Sequence, residues 1–183
     1  MRRSILILLA VTLMAGTPAG AQEQPSQSTT VPDSINFIWK NVAKDFIRLA
    51  DAMPEEKWGF KPTQGAFADA RTFAQQVKHV ACANEAWAAQ ILKEKQPEHC
   101  DSGGPSPAKS KAELMTYLRK SFTHMDRSIA SINLGNLLEP VHGEYWGDNR
   151  LSAVTAVVWH VSDHYGQLVE YLRMNGIVPP ASQ

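Results

Sequence analysis

Apolar side chains recur at intervals of three and four along most of this chain, the spacing that lines one face of an α-helix. In the first such stretch Ile35, Ile38, Val42, Phe46, Leu49 and Met53 share a face, Asp33 and Ser34 are good N-cap types, and Pro54 stops the run. A second helix is predicted over 70–93, with Phe73, Val77, Val80, Trp87 and Ile91 on its stripe and alanine filling much of the rest. Ser110 and Glu113 have the spacing of a capping box and open a third helix running to about Asn133. The fourth runs from about Leu151 to Met174 and ends at Asn175-Gly176, with Pro179-Pro180 preventing its continuation. No segment alternates with period two over strand length. Four amphipathic helices therefore predict an all-α four-helix bundle. The Pro- and Gly-bearing loops between them exceed a minimal helix hairpin, so crossover connections stay open.

The first residues follow a different pattern. Met1-Arg2-Arg3, an almost wholly apolar run from Ile5 to Ala15, and Ala19-Gly20-Ala21 before Gln22 form the three parts of a secretory signal peptide. The run is short of the ~20 residues of a membrane span. No cysteine follows it, which argues against a lipid anchor. Residues 1–21 are thus expected to be a cleaved leader, residues 22–32 a flexible polar linker, and residues 33–180 the bundle domain. The product is expected to be exported, periplasmic or secreted, without stable membrane insertion after cleavage.

Charge adds one exclusion. The 183 residues balance 18 Lys and Arg against 18 Asp and Glu, and loss of Arg2 and Arg3 with the leader takes the basic count to 16, a net charge of −2. A slightly acidic domain lacks the basic surface that nucleic acid requires. Two cysteines, Cys82 and Cys100, cannot staple a disulfide-rich scaffold, so a hydrophobic core must carry the fold. In an oxidising compartment the two can join, because a few extended residues span back along the helix between them; a bridge and two free thiols are both open.

Candidate chemistry lies in the histidines. His160-Val-Ser-Asp-His164 places two imidazoles one turn apart on the fourth helix, where both can reach one ion. With Gln167 and Tyr171 they share one shoulder of the apolar stripe. Val161 stands where a zinc protease of the HExxH type carries its glutamate, which disfavours that chemistry. His79 occupies a shoulder of the second helix beside Ala83 and Ala86, small neighbours that leave room for an ion and a substrate. Spacing alone also allows His160 and His164 to be two partly buried structural imidazoles bonded to backbone or carboxylates, and the alanines to be there merely as good helix formers.

The tail from His160-Val-Ser-Asp-His164-Tyr-Gly-Gln167 through Tyr171-Leu-Arg-Met-Asn-Gly176 to Pro179-Pro180 resembles the end of DinB-like proteins, in which a helical HxxxHxGQ segment closes a four-helix bundle. Met53-Pro-Glu-Glu56, Phe60-Lys-Pro62 and Gln75-Gln-Val-Lys-His79-Val-Ala81 are similar to that family's middle, and the likeness runs from about Pro32 to Pro180. The resemblance implies a metal site of His79, His160 and His164 for one divalent ion, zinc or nickel, and a metal-dependent hydrolase or thiol transferase acting on a small molecule. Low-molecular-weight thiols are scarce outside the cytosol, so an exported member fits hydrolysis better. A non-catalytic metal- or ligand-binding bundle is the alternative, and a homodimer stays open.

No general base is obvious near the histidines. Asp163 points outward from the shoulder and Glu85 lies across the second helix from His79. Gln167, Tyr171 and Asn84 are candidates for orienting a ligand. His99, His124 and His142 receive no ligand role, and tryptophan more often builds cores than binds cofactors, although Tyr145 and Trp146 are placed to wall a pocket.

Overall fold

The computed structural model describes residues 30–98, 110–142 and 147–183. Four helices make up the described fold: α1 (Val31–Ala52), α2 (Phe73–Leu92), α3 (Lys111–Ala130) and α4 (Arg150–Met174), with short 3-10 turns at Glu55–Lys57 and Pro180–Ser182. The all-α expectation holds. Among the described residues no helix is long and apolar enough to cross a membrane.

Local chemistry sets the helix starts, and in three cases differs from the simplest reading of the pattern. Thr30, not Asp33 or Ser34, caps α1: its hydroxyl accepts from the Asp33 amide, and Asp33 closes the box from the third helical position. Pro32 falls in the first turn, where its missing N–H costs no hydrogen bond. A second box, Thr72 with Gln75, starts α2 at Phe73 and leaves Ala70 and Arg71 in the preceding loop. Asn149 and Ser152 form a third at α4. Ser110 accepts from the Glu113 amide at 3.2 Å, so α3 begins where the sequence placed it.

Each helix packs against two others, α1 and α2 each touching α3 and α4, so the consecutive pairs α1/α2 and α3/α4 face each other across the bundle diagonals. Lys111 at the start of α3 bonds the carbonyls of Asp51 and Met53 at the end of α1, while Trp39 near the start of α1 donates to Asp126 late in α3. These two helices are antiparallel. Arg48 and Lys57 reach Pro180 and Asn175 beyond α4, which makes α1 and α4 parallel. Tyr171 bonds Arg71, and Gln90 bonds Gly147, so α4 runs against α2. The order is up, down, down, up. The end of α2 and the start of α3 therefore lie at opposite ends of the bundle, about 30 Å apart for a 20-residue helix.

The core is one cluster built by all four helices, with Trp39, Phe46, Leu49, Met53, Phe73, Leu118, Met125, Leu168 and Leu172 fully buried. On α1 the buried face is rotated from the expected stripe. Ile38 is 50% exposed, and Trp39 takes its place, with its ring 5.2 Å from Phe122 and its N–H on Asp126. Cys82 is fully buried and disulfide-bonded; Cys100, the other cysteine of the chain, lies outside the described residues.

Between α3 and α4, residues 131–149 make an isolated bridge of Pro140 with Asn149. Gly147 has φ +124, and a Cβ there would lie 2.5 Å from the Ala153 amide nitrogen. Only glycine fits this approach to the first turn of α4.

Candidate metal centre

α2 and α4 bring His79, His160 and His164 together. One nitrogen from each ring lies within 4.8 Å of the others, and His160 Nε2 stands 3.1 Å from His79 Nε2. The rings meet edge on, with centroids 4.6–5.0 Å apart. His164 is buried and the other two are half-buried, so the cluster sits in the α2/α4 seam with one side towards solvent.

The buried Gln76 fixes the third ring. Its Oε1 is 2.7 Å from His164 Nδ1. An amide oxygen only accepts, so Nδ1 carries the proton and His164 Nε2 presents a lone pair. Gln76 precedes His79 by three residues and therefore shares its helix face, a spacing that is the signal for it in the sequence. Trp87 packs on His160 with centroids 5.1 Å apart.

Burial lowers His79 to about 4, with Arg71 and His164 adding to the effect. His160 is lowered to about 3, first by burial and then by His164, His79 and Arg71. Burial also lowers His164, Arg71 adding to it and Asp163 opposing. All three are neutral imidazoles at pH 7, the form that ligates metals.

These residues fit a divalent ion. Nitrogens bound to one zinc at about 2.0–2.1 Å stand roughly 3 Å apart, as the His79 and His160 nitrogens already do. Without a cation, those two rings satisfy their contact only with one N–H and one lone pair, while His164 brings a further lone pair into the same space. The Nδ1 atoms of His79 and His160 are buried without a hydrogen-bond partner, and no carboxylate among the described residues bonds any of the three rings.

A cavity of about 450 Å³ opens beside the cluster, with Pro62, Phe67, Arg71, Gln76, Tyr171 and Met174 in its wall. It lies towards the start of α2. Ala83 and Ala86, expected to leave room, are instead packed in the interior, since α2 is buried on nearly every side.

The remaining candidates separate. Asp163 accepts from Gln167 at 2.8 Å on the exposed side of α4. Gln167 also reaches the cavity wall, as does Tyr171, whose hydroxyl donates to the Arg71 carbonyl at 3.0 Å. Asn84 is fully buried and donates weakly to Ser121 at 3.4 Å, a structural contact of α2 with α3. Glu85 faces α3, away from His79, and meets His124 Nδ1 at 2.6 Å. The other nitrogen of His124 lies 3.0 Å from Glu94, which pairs with Arg127. Sequence reasoning left His124 without a role; it ties α2 to α3. Trp39, Trp58 and Trp87 are buried as expected, but Trp159 is 53% exposed. Tyr145, Trp146 and His99 fall outside the described residues. No curated protein matches the chain. A family model for the DinB superfamily matches residues 38–168.

Proposed function

Because the chain belongs to the DinB superfamily, we propose that it is a metal-dependent enzyme that holds one divalent ion, zinc or nickel, on His79, His160 and His164. The convergence of three neutral nitrogens from two rigid helices carries this reading. When bound, the ion supplies Lewis acidity to a substrate oxygen or thiol. The chain supplies the rest. Gln76 holds the proton of His164 on Nδ1 and so aims Nε2 inward, Trp87 limits the tilt of His160, and the adjoining cavity admits a small molecule.

Hydrolysis and thiol transfer are the two reactions this donor set serves. The domain, placed by the sequence at residues 33–180 but with its first helix already begun at Val31, follows a leader of residues 1–21 and a polar linker, and acts outside the cytoplasm. The disulfide at Cys82 supports that location, because such bonds persist in oxidising compartments. That no carboxylate among the described residues bonds the rings favours a second reading, a bundle that binds metal or ligand without turnover, since hydrolysis ordinarily uses a general base.

Metal analysis of protein purified without an affinity tag tests the site. About one equivalent of ion is expected, falling to the background in His160→Ala. Less than about a tenth of an equivalent under metal-replete conditions overturns it. Ester, amide and thiol-transfer substrates assayed against the same variant then divide enzyme from binding protein.

A further inference from the structure

The cavity beside the histidines is not neutral in character. Phe67, Tyr171 and Met174 give it an apolar body, and Arg71 and Gln76 stand at its polar wall. The Gln76 oxygen is committed to His164, so its amide nitrogen is what remains to donate. The Arg71 guanidinium makes no hydrogen bond or ion pair with any described residue, while its own backbone carbonyl is held by the Tyr171 hydroxyl. An arginine fixed at the backbone, with its five donors unused, is a fork for a planar anion. Two carboxylates share the wall, yet Glu170 is taken by Arg173 at 2.6 Å and Asp69 is exposed on the rim. Arg71 also directly precedes the Thr72 cap of α2, so the positive end of that helix adds to the same field. Gln76 stands both in this wall and on the His164 ring, which joins the cavity to the cluster.

We propose that this cavity is the substrate subsite and that it selects a small carboxylate with an apolar body, the carboxylate on Arg71 and Gln76 and the reacting end towards the histidines. This rests on the enzymatic reading above and names what that site would accept. A volume of about 450 Å³ lies within the usual size of small-molecule pockets.

Calorimetric titration with 3-phenylpropanoate and its uncharged isostere 3-phenylpropanamide tests the proposal, using the mature protein as zinc-loaded and as chelator-treated samples. The acid is expected to bind at least about tenfold more tightly than the amide in both samples, the scale of a charge-assisted hydrogen bond. Arg71→Gln should bring the two ligands within about threefold, and Arg71→Lys should retain part of the preference; the exposed position of Arg71 lets both variants fold, which a thermal melt verifies. Equal binding of acid and amide, or a preference that survives Arg71→Gln, overturns the subsite. A preference present only with zinc and indifferent to Arg71 also overturns it, because the anion would then sit on the ion, and the metal reading would stand. A preference that depends on Arg71 in protein unable to hold zinc keeps the subsite and removes the metal reading instead.

Discussion

Replacing Gln76 by leucine removes the one hydrogen bond that any described residue makes to the His164 ring. The two side chains are 3% and 7% exposed and their contact is 2.7 Å, so water does not readily take the place of the lost acceptor. Leaving a buried N–H unpaired costs about 1–3 kcal/mol. The ring can escape that cost by moving its proton to Nε2, and then it no longer offers a lone pair to the cluster. Restoring the ligating form for an ion requires the same energy again, which at about 1.4 kcal/mol per tenfold corresponds to zinc binding weakened roughly 10- to 100-fold, the range found for partners of ligating histidines. Gln76→Glu keeps an acceptor of similar shape and should bind zinc at least as tightly as the wild type. Competition against a chromophoric chelator at pH 7.5 measures both variants, with helicity by circular dichroism as the folding check. If folded Gln76→Leu binds zinc within about twofold of wild type, the Nδ1–H contact does not set the geometry and the argument from the tautomer fails.

Metal-free protein should lose stability as pH falls. His79 and His160 titrate near 4 and 3 when folded against 6.5 when unfolded, so the unfolded chain takes up protons first. Their contribution is whole above about pH 6.5 and declines from there to about pH 3; urea midpoints across this window should flatten in His79→Gln/His160→Gln, and an unchanged slope would contradict the assignment. Gly147→Ala forces a left-handed φ and a 2.5 Å approach to α4, and should destabilise by about 1–3 kcal/mol or more in equilibrium unfolding. A loss under 0.5 kcal/mol, on the scale of an ordinary surface substitution, would mean that the turn relaxes freely. Reduction of the Cys82 disulfide should lower stability by about 2–4 kcal/mol; intact mass in denaturant must then show both cysteines oxidised in protein from an oxidising compartment and a reductant-dependent gain of two hydrogens.

The bundle was legible because periodicity and punctuation agree in this chain. Pro54, the Ser110 cap and Asn175-Gly176 each mark an element end that the structure keeps, and the stripes around Phe46, Val77 and Leu168 enter the core. The three histidines were legible for a different reason: a turn of helix separates His160 from His164, His79 lay on a shoulder of its own helix, and a resemblance joined it to them. Connectivity was not legible, because helix faces do not say which neighbour they meet; diagonal placement of α1 and α2 emerges from tertiary contacts alone. Caps were misplaced where two candidates stood within a turn, as at Thr30 and Asp33. Gln76 and Arg71 escaped because neither is unusual in composition, and their interest comes from what lies beside them across the seam. Ile38 and Trp39 show the finer limit: both are apolar and adjacent, and the partner Asp126, far along the chain, decides which turns inward.

The contact of His79 with His160 spans 81 positions of sequence. An ion shared by these rings would act as a removable cross-link, closing a loop of sequence that holds all of α3 and the turn at Gly147. α4 follows the other three helices in synthesis, so the nascent chain cannot complete this closure until all four have been made. Metal supply would then bear on the docking of α4 against α2, and a chain without the ion would keep only the single contact of His79 with His160 where the ion would have joined three rings.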